Sequence, residues 1–339
     1  MKILITGGAG YIGSHAAFKA CELGYDVVII DNLFRGYQEC VDTLSAHFPN
    51  KITFYKADLR DKKSLQEVFT KEKIDSVMHF AALLSVNESM QIPYLYFENN
   101  TYGTLNLLET LREFNVRNIV FSSTCATYAP PVHAAEKDFS IAEDNPQASD
   151  SVYGESKFLM EKEVIWFGKI YNINYTILRY FNVCGCNPDA IIGYSTRPSM
   201  ALMQNAVRGA LNIEPFKFTY SQMDTPDGSP IRDYVNVLDL VDTHFLALDK
   251  MMKENKSDIF NVGTGNGTSV KEVVDKVVEI TGKKFDTAMG EARKGEATAL
   301  YSNTDKITRE LGWKPTRSIE DSINSLVKWF MARPDGWKE

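Results

Sequence analysis

The chain has 339 residues, 44% of them hydrophobic and 24% charged, with a formal net charge of −7. That is enough apolar surface for a large core and two lobes. No Lys/Arg-rich run is present, so a nucleic-acid partner is not expected, and MKILITGG has no long apolar segment behind a basic head, so neither a signal peptide nor a membrane span is expected.

From the N-terminus, KILITGG (2–8) reads as a short apolar strand, IGSHAAFKACELGY (12–25) as a helix and DVVIIDN (26–32) as a β-branched strand. TFYKADL (53–59), DKKSLQEVFTKE (61–72) and SVMHFAA (76–82) continue as strand, helix and strand. PYLYFENNTYGTLNLLETLREFN (93–115) reads as one long helix, NIVFSST (118–124) as a strand, SVYGESKFLMEKEVIWFGKIY (151–171) as a helix and INYTILRYFN (173–182) as a strand. Near-continuous apolar strands alternating with helices predict an α/β fold, a Rossmann-like doubly wound parallel sheet covered on both faces.

After Asn182 the rhythm weakens, interrupted by Pro188, Pro198, Pro215, Pro226 and Pro230. YVNVLDLVD (234–242) and FNVGTG (260–265) read as strands, and SVKEVVDKVVEIT (269–281) as a helix. The expected division is a dinucleotide-binding domain over 1–182, with 234–265 partly returning to it, and a smaller mixed α/β lobe over 183–339. Five scattered cysteines argue for a reducing, cytosolic setting, and Cys184 and Cys186 read as small buried residues rather than metal ligands, so no metal is expected.

Between the first strand and first helix lies TGGAGYIG (6–13). Gly8, Gly10 and Gly13 fit G-x-G-x-x-G, and Gly7, Gly10 and Gly13 fit the wider G-x-x-G-x-x-G spacing. Such a turn lets backbone N–H groups approach a pyrophosphate at a helix N-terminus. Asp31, at the end of the second strand, suits the ribose hydroxyls and repels a 2′-phosphate, which favours NAD over NADP. Asp58 reads equally well as an adenine contact or as the cap of the helix in DKKSLQ.

VYGESK (152–157) puts Tyr153 and Lys157 at i and i+4, neighbours on one helical face. A free phenol has a pKa near ~10, and a nearby cation favours its ionised form. The pair, helped by a positive nicotinamide ring, is expected to act as a base near neutral pH. Alone, Y-x-x-x-K reads as a surface aromatic and a solvated lysine. The added signal is SSTCATY (122–128) at the end of a parallel strand, where ligands bind in such sheets. Thr124 there offers a hydroxyl to a bound ligand, whereas hydrogen bonding at the strand end accounts for Ser122.

TGGAGYIGSH, HFAA, the SST run and YGESK resemble the extended short-chain dehydrogenase/reductases. DNL (31–33), VNESMQIPYLYFENN (86–100), RYFNVCG (179–185), TPDGSPIRDYVNVLDLVD (225–242) and RKGEATALYS (293–302) are similar, almost end to end, to the UDP-glucose 4-epimerase family. The resemblance implies an enzyme that holds NAD tightly and inverts C4 of a UDP-sugar (UDP-galactose/UDP-glucose) through a transient 4-keto sugar. It assigns catalysis to Tyr153, Lys157 and Thr124. It assigns the cofactor pocket to Gly7, Gly10, Tyr11, Ile12 and Gly13, to Asp31, Asn32, Asp58 and Leu59, and to Phe80, Ala81, Asn99, Ser122 and Tyr180, besides Tyr153 and Lys157. Asn182, Arg232 and Arg293 join Thr124 and Tyr153 as substrate contacts, with an ion pair to Asp233 or Asp239 as the plainer reading of Arg232.

The pattern departs from the family at Leu84, at 197–209 and at Thr124, where a serine is usual and either residue offers a hydroxyl. Leu84 stands where many relatives carry a cofactor-touching lysine. RPSMALMQNAVRG (197–209) looks closer to the UDP-arabinose/UDP-xylose 4-epimerases, and Leu300 falls where residue size gates N-acetylated sugars. Pentose or N-acetylhexosamine substrates are therefore the first alternatives. A sugar-nucleotide dehydratase would need an Asp-Glu pair where Cys125 and Ala126 stand. A non-catalytic NAD-sensing protein of this fold tends to lose the Tyr or Lys kept here. Apolar residues such as Phe158, Leu159, Trp166 and Phe167 predict a cytoplasmic homodimer joined through helices.

Overall fold

The computed structural model describes residues 1–129, 140–195, 199, 201–291 and 297–338. The first half runs β1 (Lys2–Thr6), α1 (Tyr11–Glu22), β2 (Asp26–Asp31), α2 (Gln38–His47), β3 (Ile52–Lys56), α3 (Lys62–Lys71) and β4 (Ser76–His79). It continues through α4 (Val86–Gln91), α5 (Pro93–Tyr96), α6 (Gly103–Glu113), β5 (Asn118–Thr124), α7 (Val152–Tyr171) and β6 (Asn174–Tyr180). The second half holds β7 (Asn182–Cys184), α8 (Leu202–Ala210), β8 (Phe216–Phe218), β9 (Ile231–Asn236), α9 (Val237–Glu254) and β10 (Asp258–Val262). It ends with β11 (Gly267–Ser269), α10 (Val270–Thr281), β12 (Thr287–Met289), β13 (Ala299–Leu300), α11 (Asp305–Leu311) and α12 (Ile319–Ala332).

Seven parallel strands form the main sheet in the order β10-β6-β5-β4-β1-β2-β3. Side chains alternate across it with a period of two. Ile3, Ile5, Val27, Ile29, Val120 and Leu178 face the core shared with α1, α2 and α9. Leu4, Val28, Ile30, Val77, Ile119 and Ile177 face α3, α6 and α7. Burying each such side chain contributes ~1.5–3 kcal/mol, which is why both faces must be covered. The chain winds outward from β1 in both directions, so the crevice beyond the ends of β1 and β4 is the switch point where such sheets bind ligands. In the second sheet β9 pairs with β7, β11 and β13; β8 pairs with β12.

Two local expectations change. The strand read over 234–242 ends at Asn236, which caps α9 by accepting from the Leu238 N–H at 2.9 Å. Val237, Leu240, Val241, His244, Phe245 and Leu248 then line one buried helical face. β9 joins the second sheet, and only α9 and β10 return to the main one. The long helix read over 93–115 breaks into α5, a π-helical segment Phe97–Tyr102 and α6. There the fully buried Asn100 side chain bonds both backbone groups of Leu83, at 2.8 and 3.0 Å, and the Ser156 hydroxyl at 3.0 Å. The wide turn frees a side chain for that purpose.

Three buried histidines tie these layers together. His79 bonds Thr6 at 2.7 Å and Thr104 at 2.9 Å, and His15 bonds the Tyr11 carbonyl at 2.7 Å and the Asn187 N–H at 3.1 Å. Burial holds His15 and His244 down at about 4 and His79 at about 3, against 6.5 when free. Unfolding therefore takes up protons as pH falls below 6.5. Each histidine removes ~1.4 kcal/mol of stability per pH unit within its window. The urea midpoint is expected to fall steeply between pH 6.5 and about 4; equal midpoints at pH 7 and pH 5 would show that these rings protonate in place.

Candidate active site

The glycine turn is closed by contacts that admit no side chain. Gly7 has φ +72°, and a Cβ on it would lie 2.7 Å from the Ala81 nitrogen; one on Gly13 would lie 2.2 Å from the Gly7 oxygen. Gly10 caps α1 with no side-chain hydrogen bond, and no acidic residue occupies the first turn, which begins at Tyr11 and Ile12. The positive end of the helix dipole thus meets the crevice uncovered by any side chain, as a diphosphate requires. The Tyr11 hydroxyl donates to the Gly185 carbonyl at 2.5 Å, pinning the turn to the second lobe.

Asp31 accepts from the Ala9 N–H at 3.1 Å and the Leu33 N–H at 2.8 Å, while burial raises its pKa. A Cβ on Gly36 would lie 2.9 Å from either Asp31 carboxylate oxygen, so that glycine leaves the acid room. Asp58 accepts from the Asn32 amide at 2.8 Å and pairs with Arg60 at 2.8 Å, which holds its carboxyl down at about 2. It does not cap α3; Asp61 does, accepting from the Lys63 and Ser64 N–H groups. Leu59 is buried under Gly103. Phe80 and Ala81 follow β4, with the Ala81 N–H donating to the Thr6 hydroxyl at 3.3 Å, and Asn99 bonds Asn100 at 3.0 Å. A cradle bare of Cβ atoms at a helix N-terminus, with a buried carboxylate beside it, fits an adenine dinucleotide.

At the far side of the crevice Thr124 ends β5, and its hydroxyl accepts from the Ala126 N–H at 3.1 Å. Ser151 caps α7, and the Tyr153 N–H donates to the Ser89 hydroxyl at 3.0 Å. These caps fix the start of α7, where the Thr124 side chain acts on the Tyr153 phenol. Burial pushes the phenol up to about 12, against the lowering effect of Thr124. Lys157 is 2% exposed, lies 4.6 Å from the Phe121 ring centre, and is pushed down to about 7 by burial, against the raising effect of Glu161. The expected base pairs these two groups with the positive nicotinamide ring, which is what would offset their burial. Desolvation disfavours the charged form of both groups and is the largest cause of both shifts.

Ser122 is buried, and its side chain lowers the Tyr180 phenol on the neighbouring strand, whose hydroxyl bonds His244. Asn182 is exposed on β7 and pairs in register with Tyr234. Arg232, on β9, donates to its neighbour's Ile231 carbonyl at 2.8 Å and lowers the Cys125 thiol, which burial pushes to about 12. Asp239 is paired with Arg317 at 2.5 Å, and Asp233 accepts from Thr264, Gly265 and Ser302. Leu84 is 55% exposed, and Leu300 packs on Cys125, Tyr128, Ile141 and Phe181. Arg293 and positions 197, 198 and 200 lie outside the described residues. Cys184 and Cys186 are buried free thiols.

Four residues behind the site are not singled out as site residues by the sequence: Asn100, Glu161, Arg179 and His244. Glu161 continues the Tyr153–Lys157 face one turn further. Arg179 grips it from β6 with two bonds, at 2.8 and 3.0 Å, both side chains being at most 3% exposed. An acid two turns behind Tyr153 on a helix was the available signal; its partner could not be read.

Residues 4–326 match the family model described as GDP-mannose 4,6 dehydratase. The chain is 41% identical to a UDP-glucose 4-epimerase of Lactobacillus helveticus, covering all of both chains. It is 38% identical to UDP-arabinose 4-epimerase 1 of Arabidopsis thaliana over 99% of this chain and 80% of that one. The solved UDP-glucose 4-epimerase from Bifidobacterium longum in complex with NAD+ and UDP superposes with a TM-score of 0.92 at 31% identity, over 99% of this chain and 100% of that one. With the fold, the glycine turn and the Tyr153–Thr124 contact in the same crevice, these likenesses settle its kinship: the chain belongs to the UDP-glucose 4-epimerase family of the extended short-chain dehydrogenase/reductases.

Proposed function

We propose that this protein interconverts UDP-galactose and UDP-glucose by inverting C4 of the sugar through a transient 4-keto intermediate. The observation that carries the reading is Tyr153 at the start of α7 with the Thr124 side chain, at the end of β5, lowering its phenol, together with the glycine turn at the N-terminus of α1. Tyr153 takes the proton of the sugar 4-hydroxyl, and Thr124 steadies the phenolate by hydrogen bonding. NAD bound in the cradle supplies a reversible hydride acceptor and, in its oxidised form, a positive charge next to the phenol. Lys157 orients the nicotinamide ribose and adds its own charge. The same phenol returns the proton once the keto sugar presents its other face, so no net oxidation occurs.

In this reading Gly7, Gly10, Tyr11, Ile12 and Gly13 hold the diphosphate of NAD. Asp31 and Asn32 hold its adenosine ribose, with Asp58 and Leu59 nearby. Phe80, Ala81, Asn99, Ser122 and Tyr180 line the nicotinamide end. Residues 1–182, joined by α9 and β10, form the cofactor domain, and 183–339 supply most of the nucleotide-sugar site. Arg232 and Arg293 meet the UDP diphosphate, where a forked guanidinium suits phosphate oxygens, and Asn182 contacts the sugar side. Cys125 and Ala126 offer no acid/base pair for expelling water, which disfavours a dehydratase.

Leu159, Trp166 and Ile170 on α7 are 38%, 58% and 60% exposed, and Tyr102 and Leu105 beside them are 50% and 40% exposed. Such a patch supports a homodimer; a monomer mass by light scattering at micromolar protein would refute the pairing. Among the described residues no helix is long and apolar enough to cross a membrane. The likeness to a UDP-arabinose 4-epimerase supports pentose substrates as a second activity. UDP-galactose is expected to equilibrate with UDP-glucose with no nicotinamide added. If only UDP-arabinose and UDP-xylose interconvert, the hexose assignment is wrong.

A further inference from the structure

Behind the proton-transfer site, Tyr180 and His244 form a buried contact whose polarity can be worked out atom by atom. His244 is fully buried on α9, and its Nδ1 lies 2.9 Å from the Leu240 carbonyl oxygen. A carbonyl oxygen only accepts, so Nδ1 carries the ring hydrogen. Burial keeps the ring neutral at ordinary pH. Nε2 is then a bare lone pair, and its partner, the Tyr180 hydroxyl, must donate to it. The Tyr180 hydrogen is thereby committed, and its oxygen can only accept, from Ser122 beside it or from a further group. Tyr180 itself ends β6, its backbone in register with Thr124 on the neighbouring strand. Phe80, at the end of β4, packs on the same imidazole with ring centres 4.8 Å apart.

We propose that His244 is a positioning residue: by holding the Tyr180 hydrogen on Nε2, it fixes the phenol oxygen as an acceptor for an N–H donor of the bound cofactor, the carboxamide of a nicotinamide. An acceptor that cannot turn into a donor favours the amide nitrogen over the amide oxygen at that point, and so selects one orientation of the ring. This rests on the reading of Tyr180 as part of the cofactor pocket.

The test is the release rate of NAD from the purified holoenzyme, followed by exchange against labelled NAD, with thermal midpoints recorded alongside. In His244→Asn the amide can keep the bond to Leu240 but puts no acceptor where Nε2 stood. In His244→Gln the longer side chain can present an oxygen there. One net hydrogen bond is worth ~1 kcal/mol, so His244→Asn is expected to release NAD about five- to ten-fold faster. His244→Gln is expected to stay within about three-fold of the parent, on the same scale. Tyr180→Phe should speed release as much as His244→Asn, and the double variant should be no faster than Tyr180→Phe alone. If Tyr180→Phe speeds release and His244→Asn does not, the positioning role is wrong and the pocket reading stands. Fully additive effects would also overturn it, because His244 would then act by another route. If Tyr180→Phe leaves release unchanged, the phenol does not meet the cofactor, and both readings fall.

Discussion

Replacing Tyr153 by phenylalanine is expected to cut kcat by about a hundred- to ten-thousand-fold, the usual worth of a positioned general base, while leaving NAD bound. The substitution removes one oxygen and keeps the ring, so packing at the start of α7 is preserved. That oxygen is the one on which the Thr124 side chain acts. The cradle of Gly7, Gly10 and Gly13 lies on the other side of the crevice and does not touch it. Burial, partly offset by Thr124, pushes the phenol up to about 12. Ionising it near neutral pH therefore depends on positive charge brought close to it, and each unit of lowering needs ~1.4 kcal/mol. Progress curves with UDP-galactose and assay of acid-released NAD check the two halves separately. Near-parent turnover in the variant would remove Tyr153 as the base.

Arg179→Leu is expected to cost about 3–5 kcal/mol of stability, the loss seen when one partner of a buried ion pair is removed. Glu161 would keep its bonds from Ser123 and from the Gln147 amide at 2.9 Å but lose both bonds from the guanidinium. Arg179 also donates to the Tyr128 hydroxyl at 2.8 Å and the Glu143 carbonyl at 3.0 Å, so the loop over 141–147 loosens with it. The acid left behind cannot stay charged at so small an exposure without a partner. Denaturant titration of both single variants and of the double Glu161→Leu/Arg179→Leu checks this. The double is expected to recover part of the loss, because it leaves no buried charge. A single-variant loss under ~1 kcal/mol would mean that solvent reaches the pair, since exposed pairs are worth that little.

The main sheet was legible because its strands are buried on both faces, which writes them as unbroken apolar runs, and the helices between them carry a 3.6-residue period. The turn at 6–13 was legible because Gly7 and Gly13 stand where a Cβ would strike backbone. The second lobe was not: β8, β12 and β13 are two or three residues long, too short to show a period. Residues 237–242 of α9 read as a strand because Val237, Leu238, Leu240 and Val241 alternate closely enough with polar residues over that span. The helical period emerges only when His244, Phe245 and Leu248 are included. Tyr153 and Lys157 were found by spacing, but spacing carries no burial, and burial sets the direction of both pKa shifts. The supports behind them join residues far apart in the chain, Glu161 to Arg179 and Asn100 to Ser156, through buried polar bonds that no local pattern encodes.

The most direct test follows one hydrogen. UDP-galactose bearing deuterium at C4, incubated in ordinary water with the purified protein and no added nicotinamide, is expected to yield UDP-glucose that keeps the deuterium at C4. The hydride lent to the held cofactor returns to the same carbon, while only the hydroxyl proton exchanges through Tyr153. Loss of the label to water, or no conversion until NAD is supplied at every turnover, would contradict the account.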